Sequence, residues 1–145
     1  MRVCQIIAEL RAQQGMTQEQ LAERLFVSRD LVSKWETGAR RPGREHVRAM
    51  AELFGVETDA IVPRAERLTR ELSDCFPPGC DVSPTLNAFL DTLGERDRSV
   101  FLRRYYHLEE FDEIGAFFGL TPGHVRTILS RTRKKLARFA KEARP

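Results

Sequence analysis

Apolar residues along the chain recur at intervals of three and four, and no stretch alternates at intervals of two, so the pattern predicts helices and no strand. Val3, Ile6, Ile7 and Leu10 form one helical stripe over 2–13, stopped by Gly15. Thr17 stands three residues before Gln20 and just ahead of Leu21, Ala22 and Leu25, the signature of a capping box opening a second short helix. After a three-residue link Ser28 caps a third helix with Leu31, Val32 and Trp35 on its inner side. Gly38 ends it in the left-handed position and Pro42 confirms the break. A fourth helix over 44–54 buries Val47, Met50, Ala51 and Leu53. A short fifth turn, capped by Thr58 with Ile61 inside, closes this half before Pro63.

Residues 64–74 can form a helix with Leu68 and Leu72 on one side, but Phe76-Pro77-Pro78-Gly79 cannot continue it, because proline lacks the amide and clashes with the preceding turn. Further stripes follow: Leu86, Phe89, Leu90 and Leu93; then Val100, Phe101 and Tyr105; then Ile114, Phe117 and Phe118. Thr121 caps a long last helix with Val125, Ile128, Leu129, Leu136 and Phe139 inside, running to about residue 143. The expected organisation is all-α: two small helical domains, 1–62 and 85–145, joined by a partly helical linker over 63–84.

Composition narrows the function. A chain of 145 residues holds two domains of about 60 residues, and 41% apolar with 31% charged residues describes globular material. No run approaches the roughly 18 apolar residues of a membrane span, and the first ten residues lack the apolar core of a secretory signal, so a cytoplasmic location and no membrane partner are expected. Cys4, Cys75 and Cys80 are read as reduced thiols. Cys75 and Cys80, without a second pair, do not make a zinc site even with His46, His107 and His124 counted. His107 with Glu109 and Glu110 has neither a nucleophile nor a phosphate loop beside it, so no enzyme, metal or cofactor is expected. Tyr105 and Tyr106 are expected in helix packing. The net charge of +3 is unevenly spread: 9 basic and 9 acidic residues in 1–61, against 12 and 8 in 85–145. The excess gathers after Arg126, at Arg131, Arg133, Lys134, Lys135, Arg138, Lys141 and Arg144, as a basic helix end.

A short helix, tight link and second short helix in 17–38 have the spacing by which the second helix is pushed into a DNA major groove. The residues Thr17-Gln18-Glu19-Gln20-Leu21-Ala22, Val27-Ser28-Arg29, Val32-Ser33-Lys34-Trp35-Glu36-Thr37-Gly38 and Arg41-Pro42 resemble the Cro/C1 (XRE) repressor family, over 2–61. The resemblance implies a lambda-repressor-like five-helix bundle. It places Ser28, Arg29, Asp30, Ser33 and Lys34 at the base-reading face of a recognition helix, and Thr17, Gln18 and Arg41 on phosphate. Arg29 would fork onto guanine, while Asp30 would accept from cytosine or orient Arg29. Arg11 and Glu36 match positions that pair in family members, and Phe26 stands in the link where many have glycine. The family dimerises on half-sites about 34 Å apart, so a homodimer on double-stranded DNA is expected. The other reading of this pattern is a helical module that uses the same packing for protein contacts.

A second helix-turn-helix lies in 111–139. Leu93-Gly94-Glu95-Arg96-Asp97-Arg98, Val100-Phe101-Leu102-Arg103-Arg104-Tyr105-Tyr106, Glu113-Ile114-Gly115, Gly119-Leu120-Thr121 and Val125-Arg126 onward resemble region 4 of the sigma-70 family, which reads the promoter −35 element. That likeness turns Pro122, Gly123, His124, Arg126, Thr127, Ser130 and Arg131 toward the groove and leaves Arg133 and Lys134 for phosphate. Pro122-Gly123 replaces longer polar side chains, and no segment resembles the region that melts the −10 element, so a stand-alone sigma factor is not expected. The whole reads as a sequence-specific DNA-binding transcriptional regulator of bacterial or phage type. Two alternatives stand beside it: an adaptor docking RNA polymerase through the second module, and an antitoxin-like protein binding both DNA and a protein toxin.

Overall fold

In the computed structural model, which describes residues 2–143, three helices start directly behind the side-chain caps Thr17, Ser28 and Thr121. The chain divides into two units, 1–63 and 64–145, each with its own core. Arg144, the last of the basic run, lies outside the described residues. Among the described residues every regular element is helical, and no helix is long and apolar enough to cross a membrane.

The first unit comprises α1 (Val3–Gln13), α2 (Gln18–Leu25), α3 (Arg29–Thr37), α4 (Arg44–Phe54) and α5 (Thr58–Ile61). The Thr17 hydroxyl accepts the Gln20 backbone amide at 3.1 Å while the Gln20 side-chain oxygen Oε1 accepts the Thr17 backbone amide at 2.8 Å, the reciprocal bonds its spacing requires. Ser28 Oγ accepts the Leu31 amide at 3.1 Å, and α3 ends on Gly38 at φ 82°. Ile7, Leu21, Val32, Trp35, Met50 and Ile61 are fully buried, and Trp35 packs on the His46 ring at 5.0 Å. Two expectations shift. α4 buries Phe54, leaving Leu53 half-buried, because 47, 50, 51 and 54 share one helical face and 53 does not. The cap of α5 is Glu57, one residue before Thr58.

The second unit comprises α6 (Arg64–Glu71), a 3-10 turn (Ser73–Cys75), α7 (Val82–Leu90), α8 (Glu95–Tyr105), α9 (Phe111–Phe118) and α10 (Pro122–Glu142). The stretch 64–75, read above as linker, belongs to this core: Leu68, Leu72 and Cys75 are buried with Leu86, Phe89, Val100, Phe101, Ile114, Val125 and Leu136. Leu68 and Leu72 make an apolar stripe one turn apart, and burying it removes that surface from water. Arginines complete the attachment. Arg67, only 6% exposed, donates to the carbonyls of Tyr105 at 3.1 Å and Tyr106 at 3.2 Å, where α8 runs out of its own donors. Arg64 lies 4.7 Å from the Tyr106 ring centre. Arg133 on α10 donates to the Glu71 carbonyl at 3.2 Å, the Tyr105 hydroxyl at 2.9 Å and the Asp74 carboxylate at 2.6 Å.

The Asp74 side chain is mostly exposed, and the Arg133 guanidinium holds its carboxyl below the usual carboxylate range. A carboxyl depressed by folding stabilises above its unfolded pKa, about 3.9, and that increment is lost as pH falls through the lower folded value. Screening keeps it small, about 0–1 kcal/mol. Comparing wild type with Asp74→Asn in urea melts at pH 7 and at about pH 3 should therefore show a gap at neutrality that narrows in acid; a gap independent of pH would deny the charge its part.

Phe117, expected inside α9, is 61% exposed with the Arg103 guanidinium 3.4 Å from its ring centre. α9 turns Ile114 and Gly115 inward to meet the turn into α10, which rotates Phe117 out and leaves Phe118 half-buried.

Candidate nucleic-acid interface

In the first unit the link between α2 and α3 is closed by Phe26 at φ 57°, a left-handed conformation that costs an L-residue about 1–2 kcal/mol, and its ring is 95% exposed. The Val27 amide bonds the Ala22 carbonyl at 3.0 Å, and buried Ala22 supplies the small side chain a close helix pair needs. α3 thus leaves the turn with Ser28, Arg29, Asp30 and Lys34 exposed and Ser33 half-buried on one outward face. Asp30 pairs with Lys34 at 3.0 Å, one turn along, and not with Arg29. Thr17 and Arg41 are exposed, at the front of α2 and in the loop after α3.

Behind this face Arg11 forks onto Glu36, Nε to Oε2 at 2.7 Å and Nη2 to Oε1 at 2.9 Å, and donates Nη1 to the Met16 carbonyl at 2.7 Å. Gln18 adds a bond to Glu36 at 3.2 Å. The hydrogen bond to Glu36 raises the Arg11 pKa, against the opposing cost of burial. The fork ties α1, the start of α2 and α3 into one rigid piece. Gln18, expected on phosphate, spends one amide hydrogen on this brace and retains the other. Arg11, Thr17, Gln18, Glu19 and Arg29 line a shallow open hollow at the front of the motif. Arg29 brings a positive charge to the hollow and Glu19 a negative one, while the charge of Arg11 is spent on Glu36.

The second unit repeats the plan with other parts. α9 ends on Gly119 at φ 71°, the Leu120 amide bonds the Gly115 carbonyl at 2.8 Å, and Thr121 Oγ1 accepts the His124 amide at 3.1 Å with Pro122 at the first helical position. Val125, Ile128, Leu129, Thr132, Leu136 and Ala140 bury one side of α10. Pro122, Gly123, His124, Arg126, Thr127, Ser130, Arg131 and Lys134 are exposed along the rest, continued by Lys135, Arg138 and Lys141. Thr127 donates its hydroxyl to the Gly123 carbonyl at 3.0 Å, leaving the oxygen as an acceptor. Arg126 lies 5.1 Å from the Phe111 ring centre.

Arg133 corrects one expectation: the chain diverts it from phosphate into the attachment of α6. Burial works against its charge, but the Tyr105 hydroxyl and Asp74 carboxylate outweigh that and hold the guanidinium above its ordinary value. No local signal marks Arg133 out from Arg131 or Lys134, since its partners lie 59 and 62 residues away in Asp74 and Glu71. Arg67 and Phe111 were likewise invisible in the spacing. Cys75 is buried with its thiol toward the Arg133 carbonyl, and burial pushes its pKa up; Cys4 and Cys80 are half-buried, and all three are free.

Two helix-turn-helix motifs of different type define the class, a chain of two helix-turn-helix DNA-binding domains. Residues 7–61 match the helix-turn-helix family of Cro/C1 type, and residues 89–138 match sigma-70, region 4. Both are non-enzymatic transcription-regulator families. Over 63 residues the chain is 40% identical to an HTH-type transcriptional activator of Enterococcus faecalis, BcrR, a stretch covering 43% of this chain and 31% of that relative. The chain thus spans under a third of the relative's length. No solved structure matches it.

Proposed function

We propose that the chain is a sequence-specific regulator of transcription, acting on double-stranded DNA in the cytoplasm, with α3 and α10 as its reading helices. The observation that carries this is the braced, outward face of α3, where Arg29 and Lys34 project beside Ser28, Asp30 and Ser33 over a rigid Arg11–Glu36 fork. A fixed backbone with a free guanidinium at its front is what bidentate recognition of guanine needs, with Thr17, Gln18 and Arg41 setting register on phosphate. In α10, Arg126 reads bases, Pro122, His124, Thr127, Ser130 and Arg131 line the groove, and Lys134 neutralises phosphate. A homodimer on two half-sites supplies the affinity that one small module lacks.

A second reading joins the first: the match to sigma-70 region 4, with a relative named as an activator, favours a promoter-selecting adaptor whose second unit also docks RNA polymerase. Selecting duplexes from a random pool with the full chain, then with Arg29→Ala, tests the DNA reading. The variant should lose about 1–3 kcal/mol on the selected duplex and relax one base position. An unchanged sequence preference would remove Arg29 from base reading. Salt-sensitive binding with no motif at all would turn the argument toward the adaptor.

A further inference from the structure

Arg126 is exposed near the start of α10, and a long exposed side chain must surrender its rotamer freedom before it can fork onto a base edge. Its guanidinium lies within the distance at which an aromatic face holds a cation, over the ring of Phe111, the first residue of α9. That ring has a second tenant. Arg104 from α8 stands 4.1 Å from its centre, fixed in turn by the Glu109 carbonyl at 3.1 Å and the Glu110 carboxylate at 3.6 Å. Two cations on one ring would repel; Glu110 offsets the charge of Arg104, so the ring is held from the α8 side and still attracts Arg126.

We infer that Phe111 is the positioning residue for Arg126, an aromatic platform that presents the guanidinium to the major groove and so sets base discrimination by the second unit. The inference rests on the proposed reading of α10 as a DNA reader. Phe111 touches no base itself. It preorganises the group that does, which raises the ratio between right and wrong sequences without adding charge.

The test uses the full chain and duplexes recovered from a random pool, with a second duplex altered at the base pair whose preference Arg126→Ala erases. Phe111→Leu keeps apolar bulk but removes the π face, and should lower the discrimination ratio about 2–5-fold, the worth of one exposed cation–π contact. The slope of affinity against salt should not change, because no charge is lost. Phe111→Tyr should retain the wild-type ratio, and Phe111→Leu placed on Arg126→Ala should cost nothing further. If Phe111→Leu lowers the helical signal in circular dichroism, Phe111→Met carries the same expectation. Equal weakening on both duplexes, or an undiminished effect in the Arg126→Ala background, overturns the platform. Should Arg126→Ala erase no preference, the DNA reading of α10 falls and the platform with it; should it erase one while Phe111→Leu leaves the ratio intact, the platform alone falls.

Discussion

Gly115→Ala should lower the thermal midpoint of the second unit by about 8–16 °C and leave the first unit's transition in place. Gly115 is buried in α9, and a Cβ there would lie 2.4 Å from the Leu120 carbonyl oxygen, 3.4 Å from the Leu120 carbonyl carbon and 3.5 Å from the Thr121 carbonyl carbon. Those are backbone atoms, and the turn cannot easily withdraw because the Leu120 amide is bonded to the Gly115 carbonyl at 2.8 Å. Alanine would gain about 1 kcal/mol in helix propensity, but overpacking against fixed backbone costs about 1–3 kcal/mol or more, and this clash belongs at the upper end or beyond. A net loss of about 2 kcal/mol, at roughly 4–8 °C per kcal/mol for a domain of this size, gives the stated shift. Calorimetry on the full chain reads it directly. An unmoved second transition would mean that the turn into α10 has room the geometry denies.

Arg11→Ala should destabilise the first unit by about 2–3 kcal/mol. The Glu36 side chain is only 6% exposed, and the variant strips it of both Arg11 bonds, leaving Gln18 as its remaining side-chain donor. Orphaning one member of a buried pair costs about 3–5 kcal/mol, and the partial exposure of Arg11 lowers the figure. The double variant Arg11→Met with Glu36→Met removes the stranded charge and should recover most of the loss in urea denaturation. It should not recover DNA affinity, since the fork also aims α3. Equal stability of Arg11→Ala and wild type would show that water, not Arg11, satisfies Glu36.

What the sequence made legible follows the range of the interactions. Thr17 with Gln20, Ser28 with Leu31 and Thr121 with His124 are bonds across three residues, so these three helix starts could be read from a few letters. The exposed faces of α3 and α10 follow from the same helical period that buries Val32 and Trp35 on one and Val125, Ile128 and Leu129 on the other. The Arg11–Glu36 fork, 25 residues apart, came through family likeness and not through spacing. What stayed hidden is long-range: α6 looked like linker because nothing near it in the chain asks for Leu68 and Leu72, and Arg133 looked like its basic neighbours. Phe117 misled because periodicity gives a stripe but not which edge of it the neighbouring turn will cover.

The attachment of α6 also sets an order of events during synthesis. Arg133 is made 62 residues after Glu71, whose carbonyl it must meet, and at about 5–20 residues per second the wait is roughly 3–12 s. Through that interval Leu68 and Leu72 have emerged while much of the surface that will cover them has not. The first unit, complete by Pro63, can fold meanwhile. A nascent chain therefore carries a first unit able to fold, followed by an apolar-striped segment too short to hold a helix without its partners. In a cell that segment is exposed to chaperones and proteases until α10 arrives to cover it.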